Sequence, residues 1–286
     1  MNRFAITLEN IEDISFYGKN NADELIIFLK GYCFSGMKQL DASDLSEVIA
    51  QAKAYGMAVS VSMNRLFFPD EMEDALHTME EAVYAGANVQ FGDPALLRYA
   101  LKKGFGEKLI YQPETLVTNR YDAQNWLDTG IRSVVISPLL TAEEIQDISM
   151  HVSHARLQIH GYSMMSMSGR KLVQAFTKET GIPAGKDLYL QEEKRDGKMP
   201  VFEDLHGTYV YTDYALHSFG HMAYLKDVKT LEIHTLNMDK EEAVFAMQQY
   251  REILKGMDGQ KALKQYQDKY PETVLSAGYY DEKTIR

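Results

Sequence analysis

A (β/α)8 barrel of the TIM type is the fold this 286-residue sequence predicts, and three observations predict it. Short, near-continuous apolar runs recur along the chain, as parallel strands buried on both faces require. Longer stretches with apolar residues at helical spacing separate them. No G-x-G-x-x-G follows the first run, which weakens the open doubly wound sheet, the runner-up α/β fold.

The apolar runs are Phe4–Leu8, Glu24–Leu29, Met57–Met63, Ala87–Phe91, Lys108–Gln112, Ser133–Ser137, Arg156–His160 and Thr230–His234. Eight strand–helix units in roughly 255 residues suit a closed barrel. Between the runs, Asp44–Tyr55 carries Leu45, Val48, Ile49 and Ala52 on one face, with Ser43 as the expected cap. Pro69-Asp70-Glu71 opens the next helix and Gly86 closes it. Asp93-Pro94 opens another, which ends near Gly104. Tyr121–Thr129 runs to Gly130, and Thr141-Ala142-Glu143-Glu144 reads as a cap and first turn. Asp239 precedes a helix over Lys240–Leu254.

The rhythm breaks after the seventh run. Residues 161–228 read as an insertion over the carboxyl-end face, with a charged stretch at Gln191–Lys198 and a strong strand at Thr208–Thr212. The expected division is a barrel domain at 1–255, which includes the insertion, and a polar C-terminal tail at 256–286 with a weak helix near Gln260–Lys269.

Composition bounds the function. The chain holds 41 acidic against 30 basic residues, a formal charge of −11, which opposes a chain-wide nucleic-acid surface. Cys33 is the sole cysteine, so an intrachain disulfide or a thiolate-held cluster is excluded. No apolar run has membrane-spanning length, and the start lacks a signal peptide's apolar region. No membrane association and a cytoplasmic location are therefore expected.

Barrel chemistry sits where strands meet the following loops. The polar residues there are Asn64, Arg65, Gln90, Asp93, Gln112, Glu114, Ser137, His160 and His234. A polar loop, Tyr162 through Arg170, follows the His160-Gly161 pair. His160 and Arg170 are the expected catalytic pair, since imidazole moves protons near neutral pH and guanidinium grips a carboxylate. Asn64, Arg65, Gln112, Glu114, Ser168 and His234 are the expected ligand-binding residues, with a small carboxylate as occupant and the insertion as a lid. The metal expectation is none: His151, His154 and His160 cross a helix end and a strand. There is no G-x-S-x-G elbow, H-E-x-x-H or phosphate-binding loop.

The sequence resembles the peptidase U32 family, the collagenase-like group, over about residues 20–255. The resemblance rests on V-S-M-N-R-L-F at 61–67, V-T-N at 117–119 and S-P-L-L-T-A-E-E-I at 137–145. It rests further on I-H-G with S-x-S-G-R at 159–170, and on E-D-L-H-G-T-Y-V-Y-T-D at 203–213. It implies four cysteines holding an iron–sulfur cluster. Here Met164 and Lys171 stand at the first pair, and Ile182–Lys194 lacks the second. The family's K-I-E-G-R near the last strand reads Glu232-Ile233-His234-Thr235-Leu236.

The resemblance implies a short, cysteine-poor member working beside a longer, cysteine-bearing relative. Such a pair forms 5-hydroxyuridine at the tRNA wobble position, with prephenate as the small carboxylate. Contact with tRNA is then expected to be indirect, and no cofactor is expected within the chain itself. The alternatives are a collagenase-like peptidase and a non-catalytic binding or scaffold subunit.

Overall fold

The computed structural model describes residues 2–34, 36, 38–185, 187–193 and 196–283. Lys194 and Arg195 of the charged stretch lie outside the described residues.

Eight parallel strands close into the barrel. They are β1 (Arg3–Leu8), β2 (Glu24–Phe28), β3 (Ala58–Met63), β4 (Asn88–Phe91), β5 (Leu109–Tyr111), β6 (Ser133–Ile136), β7 (Ala155–Ser168) and β11 (Thr230–Ile233). They pair in that order, and β11 closes the ring by pairing with both β7 and β1. Each lies on one of the eight apolar runs. Helices α1 (Ile14–Lys19), α2 (Leu45–Ala54), α3 (Met72–Ala85), α4 (Pro94–Lys103), α5 (Arg120–Asp128), α6 (Ala142–His151) and α8 (Lys240–Leu254) lie between or after these strands.

Strand parity divides the side chains. Val59, Val61, Val89, Leu109, Val134, Leu157 and Leu231 pack in the main core beneath the helices. The residues between them therefore face the lumen, because successive strand side chains alternate. Helix ends follow local chemistry. Asp93 accepts from Ala95 N and caps α4; Thr141 and Glu144 form a reciprocal capping box on α6. Gly86 and Gly104 end α3 and α4 in the left-handed region.

Two helix starts depart from expectation. Ser43 does not cap α2, because a 3-10 turn at Ala42–Asp44 precedes the helix and its hydroxyl meets the Asp44 side chain. Helix α3 begins at Met72 rather than Pro69, since Glu71 is held by Arg65 and Phe68 N. Helix α1 follows β1 without having been legible as a separate segment.

Strand β7 runs on past the barrel rim, 14 residues in all. Its outer half pairs antiparallel with β10 (Thr208–His217), which pairs with β9 (Met199–Glu203), and β9 pairs with β8 (Leu188–Leu190). These strands roof the lumen. Met164, Tyr209 and Tyr211 form one buried cluster with Ala5, Ile26, Phe28, Cys33 and Leu236, and Phe34 and Phe202 pack against it. Helix α7 (Leu172–Thr180) stands outside this cluster and buries none of its residues.

The polar tail is built into the fold. Helix α9 (Gly259–Lys269) and the short β12 (Leu275–Ser276, beside β10) carry it back to the barrel, and Ala262, Tyr266 and Tyr280 enter the main core. Among the described residues, no helix is long and apolar enough to cross a membrane.

Candidate functional site

The lumen is polar at its centre. Arg156 of β7 donates from Nε to Glu232 Oε1 at 2.6 Å and from a terminal nitrogen to Glu24 Oε1 at 2.8 Å. Ser60 donates to the same Glu24 oxygen. All four are buried. Burial alone would raise the Glu232 carboxyl, but Arg156 and His234 outweigh it and hold it below the ordinary range. Two glutamates thus share the buried Arg156 guanidinium.

A second polar group lies at the mouth, where β3, β5 and β11 end. Asn64 Oδ1 accepts from Phe34 N at 3.0 Å, and its amide donates to Glu114 Oε1. Glu114, at a positive φ of 62°, donates its backbone N–H to Gln112 Oε1 at 3.1 Å. His234 Nε2 lies 3.4 Å from Glu232 Oε2, and its ring meets Phe28 edge to face at 6.4 Å.

Two glycines let this group form. A Cβ on Gly92 would sit 2.2 Å from the Asn64 carbonyl oxygen. One on Gly161, at φ +99°, would sit 2.0 Å from that of His234. The glycine of the His-Gly pair therefore serves close strand approach beside His234.

Burial pushes the Glu114 carboxyl up to about 7, with Glu232 adding to the rise while His234 and the Asn64 amide oppose it. A carboxyl at that value is populated in both forms near neutral pH, as a proton donor or acceptor requires. Asn64, Gln112, Glu114 and His234, four of the expected ligand-binding residues, are thus brought together.

The other expected site residues stand elsewhere, each for a local reason. His160 is fully buried between strand and helices, not in a cleft. The β7–β11 register slips there: Glu232 faces Gln158 and Ile233 faces His160, so Ile159 is an extra residue. This bulge turns His160 outward. Its Nδ1 and Nε2 lie 3.0 Å from the hydroxyls of Tyr250 and Tyr266, and Tyr266 in turn donates to Glu242. Burial lowers the imidazole to about 3, so it stays neutral. Replacing His160 by Ala is expected to cost about 2–3 kcal/mol, from the cavity and the tyrosine hydroxyls left short of a partner. Urea denaturation checks this, and a loss below about 1 kcal/mol would contradict the structural role.

Arg65 does not await a carboxylate ligand. It grips Glu71 with two nitrogens at 2.9 and 2.7 Å and donates to the carbonyls of Gly31 and Leu66. That contact, above all, draws Glu71 down to about 2. Arg170 is exposed on the roof ridge; its backbone N–H meets Ser168 Oγ at 3.2 Å, which occupies that serine locally. Among the described residues neither is hydrogen-bonded to the mouth cluster; Ser168 meets Arg170 N, and the Arg170 carbonyl accepts from Thr208. Asp93 holds Ala95 N and Phe67 N, and Ser137 accepts from Leu139 N, so both serve the backbone. The charged lumen residues Glu24 and Arg156 were missed. The available signal was a charge at lumen parity inside an otherwise apolar run.

The donor set does not fit the iron–sulfur cluster that the family resemblance implies, since such a centre takes four thiolates. Cys33 is buried, its Sγ is 3.2 Å from the Leu29 carbonyl, and burial pushes its thiol well up. Met164 is packed under the roof and Lys171 precedes α7.

Comparison with known proteins places the chain. The profile of Peptidase family U32 matches residues 9–285. The tRNA hydroxylation protein P2 of Bacillus subtilis (strain 168) is 28% identical over 181 residues, which span 60% of this chain and 59% of that protein's length. Among solved structures, the U32 peptidase Mk0906 superposes with a TM-score of 0.52 at 14% identity, covering 82% of this chain and 93% of that one. Thiamine phosphate pyrophosphorylase from Pyrococcus furiosus gives 0.48 at 11% identity, over 92% and 96%. With a family match running almost from end to end, this barrel chain belongs to peptidase family U32.

Proposed function

We propose that this chain is a component of the machinery that hydroxylates the wobble uridine of tRNA at carbon 5, with the Asn64–Glu114–His234 mouth as its working site. The observation that carries this reading is the 28% identity to tRNA hydroxylation protein P2. The buried carboxyl poised near neutrality at the barrel mouth supports it. In this reading Glu114 holds or moves a proton, Asn64 and Gln112 fix its orientation, and the aromatic roof excludes water.

The redox chemistry belongs to a partner. A longer, cysteine-bearing relative supplies the thiolates this chain lacks. Prephenate, the co-substrate implied by the family resemblance, is assigned to that partner, because Arg65 and Arg156 are both engaged by glutamates. The charge of −11 disfavours lone tRNA binding, so tRNA is met through the partner.

Peptide hydrolysis is not the activity expected of this site. Ser166 and Ser168 contact no histidine among the described residues, and the nearby His160 is committed to the core. Purified chain is expected to leave gelatin intact. The functional test is mass spectrometry of tRNA nucleosides from a strain lacking the gene. Loss of 5-hydroxyuridine and its derivatives, restored by the intact chain, is the expected result. Unchanged nucleosides in the deletion strain would overturn the reading.

A further inference from the structure

The amino-end opening of the barrel, opposite the mouth, carries a cluster of basic residues. Arg132, His154 and Lys229 stand one residue before β6, β7 and β11 respectively, and Arg3 opens β1. These four strands are neighbours around the ring. Backbone bonds hold the cluster in register. Val134 N donates to the His154 carbonyl at 3.3 Å, Lys229 N to the Ala155 carbonyl at 2.9 Å, and Arg3 N to the Lys229 carbonyl at 3.0 Å. The four side chains line a cavity of about 120 Å³ together with Glu24, Ser133 and Arg156. A water takes about 30 Å³ in the liquid, so the space suits a few waters or one small oxyanion.

Three of these side chains are unpaired. Among the described residues, no hydrogen bond or ion pair engages the side chain of Arg132, His154 or Lys229. In a chain of formal charge −11 this is a local reversal of sign. The nearby acids are already compensated. Glu24 Oε1 accepts from Arg156 and Ser60, its Oε2 lies 3.8 Å from Arg3, and Glu232 accepts from Arg156 Nε. Arg3, Arg132, Arg156 and Lys229 outnumber these two carboxylates by two charges. Ser133, 6% exposed, adds a wall hydroxyl that no described residue satisfies. A concave site with donors on several sides and two positive charges in excess fits a tetrahedral dianion better than a flat, singly charged carboxylate.

We propose that the amino-end opening binds a phosphate group, as the free ion or as the end of a phosphate monoester. Arg132 and Lys229 are its principal contacts, with His154 and Arg3 beside them and the buried Arg156 behind. That end of a barrel ordinarily serves stability, yet the unpaired side chains at this rim hold no part of the fold together. The site lies across the barrel from the Glu114 mouth and is independent of the tRNA-hydroxylation reading.

The test uses the purified full chain at low salt, with inorganic phosphate as probe and titration calorimetry as readout. Binding should be saturable, and an equal concentration of acetate should not displace it. Arg132→Gln and Lys229→Gln should each weaken phosphate about tenfold, as loss of one charge-assisted contact does. Neither side chain has a partner in the fold, so both thermal midpoints without phosphate should stay at the parent's. Phosphate should raise the parent's midpoint and leave that of the double variant in place. Glycerol phosphate separates the two sources. Tighter binding than the free ion's marks a monoester, weaker binding marks the ion, and either upholds the site. No phosphate binding by the parent, or unchanged affinity in both variants, would overturn it and leave the cations to the carboxyl ends of α5 and α6. Displacement by acetate would overturn the ligand class. So would an RNA oligonucleotide that binds more tightly than glycerol phosphate and is lost in the same variants, since the rim would then be a nucleic-acid contact.

Discussion

Replacing Arg156 by methionine is expected to destabilise the barrel by about 3–5 kcal/mol, the largest single-residue effect in this fold. The guanidinium is buried and bonded to two buried carboxylates, Glu24 and Glu232. Methionine fills the volume but removes the guanidinium shared by both acids, leaving Glu24 only the longer 3.8 Å approach of Arg3 and Glu232 only His234. The pH dependence should change sign with it. In the parent chain Glu232 is held below the ordinary carboxylate range, mainly because Arg156 and His234 overcome its burial. Its contribution to stability is therefore present above the ordinary carboxylate value and lost as pH falls through the depressed one. Without Arg156 only His234 opposes the burial penalty on the charged form, so the variant should gain stability on acidification. Urea denaturation at pH 5 and pH 8 checks both points. A variant within about 1 kcal/mol of the parent at pH 8 would show that the lumen charges are solvated.

How far the site was legible in the sequence follows from where each residue sits relative to the barrel rim. Parallel strands buried on both faces announce themselves as apolar runs, and all eight barrel strands lie on such runs. Residues just past a strand end inherit its parity, so Asn64, Gln112, Glu114 and His234 converge as their positions imply. His160 fails that logic because one extra residue, Ile159, reverses the parity, and no local pattern distinguishes a bulged strand from a regular one. Arg65 fails because an acid six residues on, Glu71, captures its fork before any ligand. Arg170 fails because β7 continues for 14 residues and carries the loop away. Arg156 and Glu24 went unread because a lone charge in an apolar run resembles an edge residue until the ring is closed.

Glu114→Gln is expected to flatten the chain's stability against pH. The carboxyl titrates near 7 in the folded protein, above its ordinary value of 4.5, chiefly because burial penalises its charge. A raised value stabilises the fold fully below the ordinary value and loses that contribution as pH rises through about 7. The parent chain should lose on the order of 2–3 kcal/mol from this group between pH 4 and pH 9. Glutamine keeps the contact with Asn64 by its carbonyl oxygen and has nothing to ionise. The variant should match the parent at pH 4 and exceed it at pH 9. Denaturation midpoints across that range measure the difference, and parallel curves for the two proteins would mean that the carboxyl is open to water.

The central claim is that the working site lies at the Glu114 cluster of the barrel mouth and not on the His160–Arg170 segment. It is tested most directly by complementing the deletion strain with Glu114→Gln and, separately, with Arg170→Ala, at matched levels of folded protein, and quantifying 5-hydroxyuridine in its tRNA. Glu114→Gln should restore less than about a tenth of the modification, as loss of a general acid–base group does, while Arg170→Ala should restore most of it. Full restoration by Glu114→Gln together with loss in Arg170→Ala would contradict the account.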